Sequence, residues 1–150
     1  MPLTDDQQMM QYAIEQARLS REDSGIPIGA VLVDGSGAVV GRGHNERIQR
    51  HDATAHGEIS CLRNAGRRQS YRDCTLYTTL APCAMCSGAI LLFSIPRVVI
   101  GEAKTFQGEV SLLESRGVDV VNLNERVCVE LMQEFIRHHP TVWSEDIGAS

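Results

Sequence analysis

Residues 74–101 read CTLYTTLAPCAMCSGAILLFSIPRVVIG, and this stretch decides the fold. Cys74 to Leu80 is rich in Thr, Tyr and Leu, the composition of a strand. Pro82 follows where a proline best starts a helix, at the first position, because its missing N–H is not needed there. The helix it opens carries Cys83, Cys86, Ile90 and Leu91 along one side and stops at Ser94-Ile95-Pro96. Arg97 to Gly101 then reads as an apolar strand, as expected for a sheet covered on both faces. A strand, a helix and a strand in succession form a crossover unit, the connection that parallel strands require.

The same reading extends outward. Upstream, Thr4 with Gln7 makes a capping box, and Met10, Ala13, Ile14 and Ala17 repeat at helical spacing to about Ser20. Glu22 to Gly25 supply turn residues. Ile26 to Val33 is an apolar strand, and Asp34-Gly35-Ser36-Gly37 is a hairpin signal leading to a second strand, Ala38 to Gly43. Residues 44–53 are polar and aperiodic, a loop, and a helix follows over about Ala55 to Ala65. Downstream, Val110 to Ser115 suits a short helix and Val118 to Leu123 a fifth strand. Asn124 is placed to cap a helix in which Cys128, Leu131, Met132 and Phe135 share a face. Pro140 ends it, leaving a short tail with Trp143, Glu145 and Asp146. The order predicts a single domain over 1–150, a three-layer α/β/α sandwich around a five-stranded mixed sheet, its later strands joined by right-handed crossovers.

Composition narrows the function classes. The chain has 150 residues, 43% hydrophobic and 22% charged, ordinary for one globular domain. It has no apolar run of roughly 18 residues, which argues against a membrane span. Its start, Met1-Pro2-Leu3-Thr4-Asp5-Asp6, lacks the basic and apolar regions of a signal peptide, so a cytoplasmic protein is expected. Cys61, Cys74, Cys83, Cys86 and Cys128 are odd in number and irregularly spaced, which favours thiols and metal ligands over disulfides. The net charge is −5, and no basic stripe is visible. The densest basic cluster, Arg63, Arg67, Arg68 and Arg72, reads as a solvated face. Long nucleic acid is therefore not the expected partner.

Two short motifs carry chemistry: His56-Gly57-Glu58 and Pro82-Cys83-Ala84-Met85-Cys86. Cys83 and Cys86 lie three apart at a helix start, so they share a face and can bind one ion. The helix N-terminus offers free N–H groups and a positive dipole end, which favour thiolates. An imidazole from a second helix start completes three ligands of a tetrahedral zinc. The open fourth position can hold water, whose pKa zinc lowers from about 16 towards about 7. Glu58 lies two residues from His56, beside the metal without being a ligand, where it can take a proton from water and return it to a leaving amine.

Each motif alone has blander readings. A lone Cys-x-x-Cys also fits a redox pair or part of a structural zinc site. A structural site needs four protein ligands, and the spare donors His44, His51, Cys61 and Cys74 form no second ligand-spaced pair. Cys61, Cys74 and Cys128 read as small buried hydrophobes. His138 and His139 fall near a helix C-terminus, where they meet its dipole.

Together, H-x-E followed by P-C-x-x-C is the signature of the zinc nucleobase deaminases. Beyond the motifs, the chain resembles the yeast-type cytosine deaminases of the cytidine deaminase superfamily over nearly its whole length. The resemblance runs through Gly25-Ile26-Pro27-Ile28-Gly29, Gly41-Arg42-Gly43-His44-Asn45, Leu76-Tyr77-Thr78-Thr79-Leu80 and the tail Trp143-Ser144-Glu145-Asp146-Ile147-Gly148. It implies a cytidine deaminase-like fold, one zinc ion per subunit, a homodimer, and hydrolysis of free cytosine to uracil and ammonia in pyrimidine salvage. It also implies that Asn45 and the backbone N–H of Gly57 hold the pyrimidine carbonyl and that Asp146 accepts from a ring N–H. Ile28 and Leu80 become pocket walls, and Phe106 and Trp143 a lid. Ala81 stands where the fungal members carry serine, which bears on finer substrate preference. Relatives acting on tRNA adenosine or guanine commonly carry Glu before Pro-Cys, and this chain does not. Guanine, a modified pyrimidine, a creatinine-like ring and tRNA adenosine are the alternative substrates, and a non-catalytic zinc-binding module is the alternative of a different class.

Overall fold

The computed structural model describes residues 3–149, so the Met1-Pro2 start lies outside the described residues. The elements run α1 (Asp5–Glu22), β1 (Gly29–Val33), β2 (Val39–His44), α2 (Gly57–Ala65), β3 (Thr75–Thr78), α3 (Ala84–Leu92), β4 (Arg97–Ile100), α4 (Val110–Ser115), β5 (Asp119–Asn122), α5 (Arg126–His138) and α6 (Pro140–Asp146). Every residue of β1 is buried, and its alternate side chains serve two different cores. Ala30 and Leu32 pack with Cys61, Leu76, Ile90, Val98 and Leu113, under α2, α3 and α4. Val31 and Val33 pack with Met10, Ile14, Tyr77, Val99, Cys128 and Leu131, under α1 and α5. The period-2 alternation of a doubly covered sheet thus produces the three expected layers.

The sheet order is β2-β1-β3-β4-β5. β1 pairs antiparallel with β2 and β3, while β3–β4 and β4–β5 are parallel, so the sheet is mixed. The hairpin between β1 and β2 is held by Asp34, whose Oδ1 accepts from the backbone N–H groups of Ser36 and Ala38. On β2, Gly41 and Gly43 let α2 lie directly against the strand: a Cβ on Gly43 would sit 2.3 Å from the backbone N of Cys61. Among the described residues, no helix is long and apolar enough to cross a membrane.

The structure corrects several boundaries. β1 begins at Gly29 rather than Ile26, because Pro27 has no N–H for a ladder and Ile28 N–H turns back to the carbonyl of Ile26 at 2.8 Å. Ile26 and Ile28 instead join a third core with Leu80, Met132, Phe135 and Trp143. Pro82 is not the first helical residue; Cys83 is the N-cap and α3 starts at Ala84. The cap of α5 is Glu125, since Asn124 adopts the left-handed conformation (φ 50°). The expected tail after Pro140 is a helix, α6, with Pro140 at its start. Proline pushes His139 out of helical geometry (φ −140°, ψ 57°), which breaks α5, and then supplies a preformed first residue for α6.

Candidate active site

Two helix starts meet at one point. His56 is the N-cap of α2 and Cys83 the N-cap of α3, both with extended backbone and neither side chain bonded back to its own helix. An ordinary cap residue would spend its side chain on a free helical N–H. Here both side chains turn toward each other instead: His56 Nδ1 lies 3.4 Å from Cys83 Sγ. Cys86 comes up from the first turn of α3, and the donor atoms of His56, Cys83 and Cys86 all lie within 4.8 Å of one another. A tetrahedral zinc, bonded at about 2.1 Å to nitrogen and about 2.3 Å to sulfur, sets such atoms roughly 3.5–3.8 Å apart. One nitrogen and two sulfurs at this spacing fit that ion. His44, His51, Cys61 and Cys74 lie outside the cluster among the described residues, so the protein brings three donors and leaves a fourth position open.

The metal-free electrostatics show how the donors prepare one another. The hydrogen bond from Cys86, helped by His56 and opposed by burial, lowers the Cys83 thiol to about 4. Holding that bond raises the Cys86 thiol well above its ordinary value, and its burial adds to the rise. For His56 burial is the largest influence and disfavours the cation, yet the bonds to Asp146 and Cys83 together outweigh it and raise the ring to about 10. Glu58, in the first turn of α2 and 4% exposed, is pushed up to about 7, chiefly by burial and then by the Cys83 charge.

A second tier of residues sits above the donors. The far nitrogen of His56, Nε2, meets Asp146 Oδ1 at 3.2 Å. Asn45 Nδ2 donates to both Asp146 oxygens at 3.3 and 3.2 Å, joining residues 101 apart in the chain. Asn45 is itself clamped. Its N–H donates to Ile28 O, its carbonyl accepts from Ser20 Oγ and Gln49 Nε2, and its Oδ1 accepts from the N–H of Arg47. A cleft of about 270 Å³ opens here, walled by Ile28, Leu80, Ala81 and Ile147, with Glu58 and Cys83 at its base. Phe106 and Trp143 also line it, their rings edge to face with centroids 5.8 Å apart.

Most of the residues singled out in the sequence therefore converge. Ile28, His56, Glu58, Leu80, Cys83, Phe106, Trp143 and Asp146 all line the cleft. Cys86 lies beneath it, and Asn45 reaches it through Asp146. Gly57 opens α2, where its N–H has no acceptor within the helix. Ile147 and the Ser20–Gln49 clamp were missed. Ile147 follows Asp146 in the tail motif, whereas nothing in spacing links Ser20 to Asn45. Cys61, Cys74 and Cys128 are buried, and burial raises all three thiols, Cys74 to about 11 and Cys128 to about 12.

Comparison with known proteins agrees with this geometry. The family described as the cytidine and deoxycytidylate deaminase zinc-binding region matches residues 3–102. A cytosine deaminase of Candida albicans is 52% identical over 146 residues, spanning 96% of this chain and 97% of that protein. A solved tRNA:A34 deaminase superposes with a TM-score of 0.72 at 32% identity, covering 83% of this chain and 98% of its own. A guanine deaminase from Nitrosomonas europaea superposes with a TM-score of 0.73 over 90% of this chain and 85% of its own; at 23% identity this likeness concerns the fold alone. With a His-Cys-Cys donor set on two helix starts and a buried carboxylate beside it, the chain belongs to the zinc-dependent cytidine and deoxycytidylate deaminase family.

Proposed function

We propose that the chain hydrolyses free cytosine to uracil and ammonia, a reaction of pyrimidine salvage. The observation that carries this reading is the buried Asn45–Asp146 pair set against the metal ligand His56 in the cleft. The cleft is walled by Ile28, Leu80, Ala81, Phe106, Trp143 and Ile147, an apolar lining suited to the faces of a flat ring. An Asp146 carboxylate accepting from N1–H rewards the free base, because in a nucleoside N1 carries the sugar. Sites built on such a bond discriminate by roughly 10⁴ or more. The 52% identity to the Candida albicans cytosine deaminase supports the same substrate.

In this reading His56, Cys83 and Cys86 hold one zinc ion per subunit, which when bound makes water acidic enough to attack at neutral pH. Glu58 accepts a proton from the attacking water and passes it to ring N3. Once the C4–O bond has formed, Glu58 takes the second proton from the new C4 hydroxyl and delivers it to the amine. The C4–N bond breaks as the C4 carbonyl forms, so cytosine and water become uracil and ammonia. Asn45 and the N–H of Gly57 donate to O2 and fix which carbon faces the metal. Ile28 and Leu80 sandwich the ring, and Phe106 and Trp143 close over it to exclude bulk water.

The protein is read as a cytoplasmic homodimer. Met85, Leu92 and Phe93 leave one side of α3 apolar and exposed, a face suited to a second copy. Sedimentation at twice the 16.5 kDa chain mass checks this. The activity test is ammonia release by zinc-loaded protein from cytosine, cytidine, guanine, adenosine and creatinine, with Glu58→Ala as control. Turnover of cytosine but not cytidine is expected. Turnover of another ring alone would discard the pocket assignment, and tight tRNA binding at physiological salt would overturn the free-base reading. Zinc content without turnover of any base would point to a binding module.

A further inference from the structure

The segment after β4 carries Phe106, which lines the cleft. Both of its ends are fixed to the turn that bears Cys83. At the near end the carbonyl of Glu102 accepts from the N–H of Ala81 at 3.0 Å. At the far end the N–H of Glu109 donates to Pro82 O at 3.0 Å. Gly108 makes that second attachment possible: its φ is +55°, and a Cβ there would lie 2.3 Å from Pro82 O. This proximity follows from topology, because β3 and β4 are parallel neighbours and their C-terminal ends open side by side.

Between those ends, residues 103–106 make no backbone–backbone hydrogen bond to any described residue. What orders them is one side chain. Glu102 is 1% exposed, and its Oε2 accepts from the N–H groups of both Lys104 and Thr105 at 2.8 Å. Bonds from N–H groups to a carboxylate are shorter and stronger than neutral ones, and two on one oxygen set the direction in which the chain leaves β4. The other oxygen, Oε1, is buried with no partner. A structural acid held only for fold stability would be better replaced by an apolar residue, because a buried polar atom without a partner is costly. We infer that Glu102 is a positioning residue for the reaction: its carboxylate folds residues 103–106 so that Phe106 meets Trp143 and closes the cleft over the base. Glu102 is not among the residues that line the cleft, and it acts through Phe106. This inference rests on the reading of Phe106 as the cover of the bound base.

Trp143 reports the closure directly, since it is the single tryptophan of the chain and lies edge to face with Phe106. The test compares acrylamide quenching of Trp143 fluorescence, zinc content and cytosine kinetics in Glu102→Leu, Glu102→Gln, Lys104→Pro and Phe106→Ala. Glu102→Leu keeps the volume and removes the acceptor. It should at least double the quenching constant and raise KM for cytosine about 5- to 20-fold, with one zinc retained and kcat changed less than about threefold. Glu102→Gln keeps a carbonyl acceptor and should restore most of the parent behaviour. Lys104→Pro leaves the buried acid in place and deletes one of its two donors, so it should raise quenching in the same direction. It decides the question if Glu102→Leu does not fold. Parent-like quenching and KM in Glu102→Leu, or in Lys104→Pro where the first is unfolded, overturns the positioning role. If Phe106→Ala leaves KM unchanged, the cover itself is misassigned; if only Phe106→Ala changes it, the cover stands and the role of Glu102 falls.

Discussion

The floor and the roof of the cleft are built in opposite ways. The floor is local: His56 and Glu58 lie in one helix start, Cys83 and Cys86 in another, and the two starts meet directly. The roof is assembled from distant parts of the chain. Asn45 leaves the end of β2, Phe106 follows β4, and Trp143 and Asp146 lie a turn apart on α6. In the proposed mechanism the floor supplies the metal donors and a proton carrier, chemistry common to any ring with an exocyclic amine. In the same mechanism the roof supplies the hydrogen-bonding groups and apolar covers that select one ring shape. Proteins sharing the fold can therefore act on different bases while sharing the chemistry.

If that division is right, the largest effects come from the floor. Cys83→Ala should lose both zinc and turnover, which metal analysis of the purified variant and an ammonia assay check together. Glu58→Ala should keep one zinc per chain while turnover falls about 10²- to 10⁴-fold, the usual contribution of a positioned acid–base group. A Glu58 variant with near-normal turnover would move the proton transfer elsewhere and undo the floor's assignment.

The floor also has a pH signature. In the metal-free protein Cys83 loses its proton at about 4, whereas His56 keeps its proton to about 10 and the Cys86 thiol keeps its own well above the ordinary value. Zinc must displace the latter two, so binding at neutral pH should release about two protons. Between about pH 5 and 9 the affinity should accordingly fall roughly 100-fold for each unit that pH is lowered. Calorimetry in buffers of different ionisation enthalpy counts the protons. A count near zero would mean that the donors are already stripped in the free protein.

The roof predicts smaller losses. Asp146→Asn removes the charge beside His56 Nε2 and alters the acceptor offered to N1–H. Partners of metal-ligating histidines typically contribute 10- to 100-fold in affinity or activity. The expected loss in kcat/KM for cytosine is of that order, with zinc still bound at saturating concentration. Gain of cytidine turnover would sharpen the comparison further, placing base-versus-nucleoside choice in the roof.

Legibility in the sequence follows the same line. Within each helix start the floor could be read from spacing, because two or three residues fix which side chains share a face. That the two starts meet came from the paired H-x-E and P-C-x-x-C signature. The central strand–helix–strand unit and the Asp34 hairpin were equally local and equally legible. The Asn45–Asp146 contact joins residues 101 apart, and no local pattern encodes it; the tail was marked only by family resemblance. Proline was misread in both directions. Pro82 precedes the N-cap rather than opening α3, while Pro140, taken as an end, is the start of the helix that delivers Trp143 and Asp146. A proline after a helix both ends one and begins another, and only packing against Ile26, Ile28 and Leu80 determines which follows. Ser20 and Gln49 were invisible because each clamps Asn45 by its backbone carbonyl, a contact that any residue type at position 45 would offer.

The smallest expected effect lies outside both regions, and it tests whether they are separable from the scaffold. Asp6 of α1 accepts from Arg97 at 2.9 and 2.7 Å and from Tyr77 Oη at 2.7 Å, tying α1 to β3 and to the start of β4. Arg97 holds the Asp6 carboxyl below its ordinary value, with Tyr77 helping and burial opposing. A group depressed in the fold stabilises fully above its unfolded value, near pH 4, and loses that contribution as pH falls through the depressed one. The pair is partly exposed, so screening limits it to about 1 kcal/mol or less. Asp6→Asn should therefore lower Tm by no more than about 4 °C at neutral pH, and the gap from the parent should close in acid. Its kcat/KM and zinc content should match the parent. Arg97 begins the strand whose other end leads into Glu102 and the Phe106 segment, so a change in KM without loss of zinc would show that strain at the bottom of β4 reaches the roof. Unchanged kinetics would show that the sheet isolates the roof from its far edge, as a rigid, doubly covered sheet should.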